Sequence, residues 1–433
     1  MGNKIELSQF VDAVFQTPQN ETFWFGYYNY SPINKKGDKI LSHKASFDGR
    51  PVNENDEIEV GWFDLNSHEW HRVDKTCAFN WQQGSMLQWI GETDSFIYNV
   101  KIGDHFGCRI YNIENGRFEE FDSAIYGISS IQNSSITIKF ERSYWCRAYH
   151  YECIADPKWD GLIADGDALY NFDFSSKELK PIVTINDLIT CGYKHTFDSA
   201  KHWIEHIMLT PNQKRVAFYH RFTHGSGFET RIFTCNLDGT DLKMLPQWKD
   251  YSWSHMGWRD DSEFVVFGVK KNSSVQAYRK ITEQTGRLGK LIRWMYKKTL
   301  SKLITKKVRK ATYVPGVYQL YNCNTTELLE VFDVANYSLD GHPTFTKDGK
   351  YMLTDTYEDE KSYRHLLLYN TERKNTIELA SFYSPFNSCS YRSDLHPRFD
   401  MDEKNVIVDT AHNGHHSVLV LKVDWDNIKK EIG

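Results

Sequence analysis

One phrase recurs seven times along this 433-residue chain: an apolar or aromatic run, a polar turn rich in Asp, Gly, Asn and Lys, then a second apolar run. It reads YSPINKKGDKILS at 30–42, LQWIGETDSFIYNV at 87–100, ISSIQNSSITIKF at 128–140 and HIMLTPNQKRVAFYH at 206–220. It returns as HMGWRDDSEFVVFG at 255–268, HPTFTKDGKYMLTDT at 342–356 and HPRFDMDEKNVIVDT at 396–410. A third strand-like run follows each copy, and usually a weaker fourth. Such a unit cannot bury its apolar face alone and must stack on its neighbours. Four short antiparallel strands, repeated at a spacing of roughly 40 to 60 residues, predict an all-β fold, a single seven-bladed β-propeller over residues 1–433. The last unit ends after its third strand, so the N-terminal segment is expected to supply the missing one.

Aromatic residues make up 15% of the chain, enough to wedge between blades without invoking a ligand. The start, MGNKIELSQFVDAVF, lacks the basic and apolar regions of a secretion signal. No run approaches the roughly 18 apolar residues of a membrane span. The eight cysteines are scattered without a CxxC pair. Together these features predict a cytoplasmic protein with reduced thiols. Two segments break the four-strand unit: the aromatic and polar stretch 141–165 in the third blade, and 272–313 in the fifth. The second carries twelve Lys or Arg against one Glu between Arg279 and Lys310. Apolar residues recur there at Leu288, Ile292, Tyr296, Leu300, Ile304 and Val308, which predicts a basic amphipathic helical insertion. Its cations suit an anionic membrane surface through residues 286–310, the alternative being a stripe packed on the propeller flank. Nucleic acid is not expected, because no second basic patch with interleaved aromatics accompanies it.

Histidine occupies the same point of the phrase in four repeats: His206, His255, His342 and His396. Equivalent positions in a rotational repeat are symmetry mates, so these imidazoles are expected to converge on one mouth of the axial channel. A single histidine there would read as an inter-blade hydrogen-bonding residue; four in register read as metal ligands or substrate contacts. Asp394 stands two residues before His396, on the same side of a strand. Imidazoles joined by a carboxylate suit a divalent metal, Mn or Zn.

The phrases HPTFTKDGKYMLTDTY and DLHPRFDMDEKNVIVDTAHNG resemble the last two blades of the oligogalacturonate lyases, and the related propeller lyases that act on ulvan. FNWQQGSMLQW at 79–89 is similar to a second-blade signature of their relatives. The resemblance implies that His255 is the catalytic base, that Arg231 is a catalytic partner binding a carboxylate, and that His342 and His396 hold manganese. The chain departs from the family's HxH pair, which reads Asp394-Leu-His396 here. The family's Gln ligand has no clear equivalent, Tyr391 standing nearby. His206, His202, Tyr149 and Arg398 are further candidates for sugar contacts.

The function expected is therefore metal-assisted β-elimination at a uronate in an acidic glycan or glycan-lipid. The basic insertion raises a competing expectation, a factor of capsule or lipopolysaccharide biosynthesis, such as a glycosyltransferase, peripheral on the inner face of the cytoplasmic membrane. A third is a noncatalytic propeller that binds a glycan or a protein. There is no Gly-rich nucleotide loop; HGSGFETR at 224–231 has too few glycines and no following helix.

Overall fold

The computed structural model describes residues 4–144, 149–155, 162, 167–224, 227–271, 316–334, 339–386, 388 and 390–433. Strands dominate, in seven antiparallel sheets that are the blades of a β-propeller. Blades one to five take their four strands in chain order, from Thr22–Trp24 in blade one to Leu328–Phe332 in blade five. Their first strands line the axis; that of blade four, His202–Leu209, is buried along nearly its whole length. The fourth strands face solvent, as the RFEEF strand of blade two does.

The ring closes through the N-terminus, as its truncated last unit predicts. Val11–Gln16 pairs with Ser417–Val423 as the fourth strand of blade seven. A second tie lies outside the sequence expectation: Ile5–Leu7 adds a fifth strand to blade six, against Asn375–Tyr383. Phe10, Val11 and Phe15 are buried along this clasp.

Three short α-helices lie among the described residues: α1 (Phe140–Ser143), α2 (Ile185–Thr190) and α3 (Trp425–Glu431). None there is long and apolar enough to cross a membrane. The six described cysteines are free thiols. The basic insertion, including the helix expected at 286–310, lies outside the described residues. Its flanks do not: Tyr251 pairs with Lys270 and Gly268 with Val317. The connection thus leaves blade five at the end where its first strand begins, four residues before His255.

Candidate active site at the channel mouth

The histidine register rests on a repeated turn. Thr210 N–H bonds to the Arg215 carbonyl, Arg259 to Glu263, Thr346 to Tyr351 and Asp400 to Asn405. His206, His255, His342 and His396 each stand four residues before the first member of those pairs. In blade two the same bond runs from Ile90 to Ser95, and Met86 takes the histidine's place. His206, His396 and Met86 all hold positive φ, at 53°, 44° and 55°. Non-glycine residues rarely adopt this left-handed backbone, and those that do cluster at functional sites. Blades four and five pass through β-bulges beside His206 and His255, and bulges re-aim side chains.

The four rings form an arc around the axis. Ring centroids lie 6.1 Å apart for His206 and His255, 4.0 Å for His255 and His342, and 4.3 Å for His342 and His396. Tyr28 floors this arc, 5.0 Å from His342 and 5.7 Å from His396, and its hydroxyl donates to Met256 O at 2.7 Å. The floor is set by Gly26, whose φ is +110°; a Cβ there would meet the Gln83 carbonyl carbon at 2.7 Å. Asp409 accepts from Phe25 N and Gly26 N, both at 2.9 Å, and so pins this segment to blade seven.

His342, Asp394 and His396 place one ligand atom each within 4.8 Å of one another. Hydrogen bonds fix the tautomers. His342 Nδ1 donates to Asp355 Oδ1 at 2.9 Å and His396 Nδ1 to Gly26 O at 2.6 Å, which leaves both Nε2 atoms as acceptors. A carboxylate behind a histidine is the usual outer support of a metal ligand. Burial, then the neighbouring His255, holds His342 well below the usual histidine range; burial, then His342, brings His396 down to about 3. Asp355 is pushed up to about 6 by burial, although His342 N–H and His396 N–H both point at it. Asp394 is equally buried, yet Arg364 and Arg392 hold it well below the carboxylate range. Two neutral imidazoles and one ionised carboxylate are a donor set that fits Mn or Zn.

His255 has its own carboxylate. Its Nδ1 lies 3.0 Å from Asp340 Oδ1, and Ser254 Oγ bonds to the same carboxylate. With Nδ1–H on Asp340, Nε2 is the lone pair available for a proton. Tyr149 stands edge-on to His206 at 5.1 Å, and Tyr357 edge-on to His255 at 6.1 Å.

Three residues expected at the site are directed elsewhere. Arg231 is not brought to the channel. Its guanidinium donates to the Leu188 and Cys191 carbonyls at the end of α2 and to His220, within a box of Phe197, Phe222, Phe233 and Trp248. His202 has both ring nitrogens engaged, on His220 and on Phe197 O. Arg398 is 2% exposed; it pairs with Asp409 at 2.9 Å and donates to His396 O at 2.6 Å, so it steadies the ligand strand from behind.

Sequence reasoning missed Asp340, Asp355, Tyr28, Tyr357 and Arg392. One signal was present: the repeats of blades six and seven both end in Asp-Thr, and these equivalent aspartates, Asp355 and Asp409, each hold backbone of the next blade. The 79–89 phrase acts as a brace. Asn80 Nδ2 donates to Tyr149 O at 3.2 Å, Gln82 Nε2 to Arg392 O at 2.9 Å, and Gln83 Nε2 to Tyr126 Oη at 2.7 Å.

Solved structures share this architecture. An oligogalacturonate lyase in complex with manganese aligns with a TM-score of 0.61 at 16% identity, over 97% of this chain and 96% of that one. An oligogalacturonate lyase from Vibrio parahaemolyticus aligns at 0.59 and 15% identity, over 96% of each chain. The tricorn protease also matches, at 0.45 and 9% identity, over 98% of this chain and 36% of that one. No family model matches the chain. Nor does any curated protein. At such identities the likeness to the two lyases shows the seven-bladed propeller fold.

Proposed function

We propose that this chain is a carbohydrate-active enzyme that cleaves an acidic glycan by metal-assisted β-elimination at a uronate. The observation that carries the reading is the juxtaposition of a metal-type donor set, His342, Asp394 and His396, with the His255–Asp340 dyad, whose ring centroid lies 4.0 Å from that of His342. The solved lyases of the same fold, one of them a manganese complex, favour it further.

The proton beside a uronate carboxylate is only weakly acidic. His255 Nε2 takes it, while Asp340 stabilises the imidazolium that forms. The C–H pair becomes the new C4–C5 double bond, the C4–O bond breaks, and the departing oxygen takes up a proton. Tyr149, half-buried and edge-on to His206, gives that proton. A divalent ion, Mn or Zn, held by His342, Asp394 and His396 would supply the positive charge that stabilises the developing enolate. Tyr28 closes the channel below and helps exclude water from the reacting carbon.

The test is incubation of metal-loaded protein with a panel of uronic acid oligosaccharides, following the ultraviolet absorbance of an unsaturated product. Silence across the panel would remove the reading. A second reading, a membrane-associated step of capsule or lipopolysaccharide assembly, is favoured by the basic insertion, whose flanks leave blade five where the strand that carries His255 begins. An acidic glycan carried on lipid would then meet the mouth from the membrane side.

A further inference from the structure

We propose that Arg392 is the residue that receives the substrate's carboxylate. The inference rests on the acidic-glycan reading above and names its anion-binding group.

A carboxylate is best held by two parallel N–H bonds from one guanidinium. Three other arginines have none to offer. Arg364 is directed to Asp394, Glu358 and Ser384, and its side chain is 1% exposed. Arg398 is taken up by Asp409, Gly26 O and His396 O. Arg231 lies in its aromatic box in blade four.

Arg392 differs. Its Nε donates to Asp394, at 2.8 and 3.0 Å from the two oxygens, and its Nη2 donates to Tyr357 Oη at 3.1 Å. A guanidinium has five N–H groups. Among the described residues, those bonds use two, which leaves both hydrogens of Nη1 and one of Nη2 without a partner. The side chain is 18% exposed, whereas the Asp394 beneath it is fully covered. The Arg392 side chain therefore reaches solvent where Asp394 does not.

The group is also pre-set. Asp394 is clamped from behind by Arg364 at 2.7 Å, the guanidinium lies 5.0 Å from the Tyr357 ring centroid, and Gln82 fixes the Arg392 carbonyl. Little side-chain freedom remains to be lost on binding. Tyr357 in turn lies 6.1 Å from His255 and 6.2 Å from His342, which ties Arg392 to both the base and the ligand set. A uronate whose carboxylate rests on Arg392 carries its acidic C–H one carbon away, on the side of His255. Asp394 is on this view a positioning residue for Arg392 as well as a donor to a metal.

The experiment measures binding of a uronic acid oligosaccharide and of its methyl ester by titration calorimetry, in the His255→Ala background so that nothing turns over. The ester keeps the shape and removes the charge. The acid is expected to bind more tightly than the ester, on the order of tenfold to a hundredfold, from a charge-assisted bidentate contact. Arg392→Gln should cut that preference sharply while leaving ester binding in place and the protein folded. Arg392→Lys, which keeps the charge without the fork, should retain part of it and guards against a folding defect in the first variant. An undiminished acid preference in folded Arg392→Gln overturns the proposal while the elimination reading stands. An Arg392-dependent preference in a protein that never yields unsaturated product supports the clamp and removes the elimination. No acid binding by the parent protein removes both.

Discussion

His255 and the pair His342–His396 carry opposite assignments within one arc of rings, and single substitutions separate them. Loss of the base by His255→Ala is expected to lower turnover by about a hundredfold to ten-thousandfold with metal content unchanged. Undiminished turnover would move the base to His206 or Tyr149. Removing His342 and His396 together should strip a divalent ion that the parent protein carries near one equivalent, as read by elemental analysis. Full metal content in that double variant would end the ligand assignment. Burial also makes acid destabilising. His43 bonds to Trp24 O and Ser85 Oγ, and burial brings it down to about 3. The unfolded chain takes up that proton near pH 6.5. Below that value the unfolded state binds a proton the native state refuses, so stability falls as pH drops from about 6.5 towards 3, by about 1.4 kcal/mol per unit for each such histidine. His342 and His396 act in the same direction, whereas Asp355, raised to about 6, opposes them as pH falls through that value. Thermal midpoints should therefore decline from pH 7 to pH 5, and His43→Gln should flatten the slope; a midpoint that rises on acidification would contradict this. The four ring positions were legible in sequence because they keep one offset from a turn. Arg392 and Tyr357 keep no such offset, since they come from connections that differ from blade to blade; Asp340 does, standing two residues before His342 as Asp394 stands before His396, but it serves His255 of the preceding blade. Arg231 misled because a buried arginine that caps α2 looks, in sequence, like one that awaits a substrate.

At the level of elements, closure of the ring was readable from a repeat that stops one strand short, and Val11–Gln16 completes it. The fifth strand on blade six was not readable, because a three-residue strand with two exposed positions carries almost no pattern. Deleting residues 1–17 removes both ties and leaves Ser417–Val423 as an unpaired edge. The truncated protein is expected to aggregate and to be cut faster by proteases; a monomer as resistant as the full chain would mean that closure is dispensable. The basic insertion makes a separate prediction. If its cations and stripe meet a membrane, sedimentation with anionic vesicles should exceed that with neutral ones and weaken as salt rises. Replacing Lys297, Lys298, Lys306 and Lys307 by Glu should release the protein without unfolding it. Equal recovery in the supernatant with both vesicles would remove the support for a membrane-side role.

For the whole molecule, rotational repetition explains how short strands assemble a deeply buried polar site. Blades four to seven each contribute one histidine at the same offset from a turn, Tyr28 lies beneath the rings, and the 79–89 phrase braces Tyr149 and Arg392. The fold was legible because sevenfold repetition has few other solutions. The chemistry was legible mainly as a cluster of imidazoles, since Asp340 reaches His255 only through blade stacking and Asp355 reaches His342 only through strand pairing within blade six. Elimination at this mouth is most directly tested by the masses of the fragments released from a single defined uronic acid oligosaccharide. Elimination adds no water, so fragment masses are expected to sum to that of the substrate, with metal-loaded protein and not with His255→Ala. Fragments that have gained a water, or a glycan that returns uncut or enlarged, would contradict it.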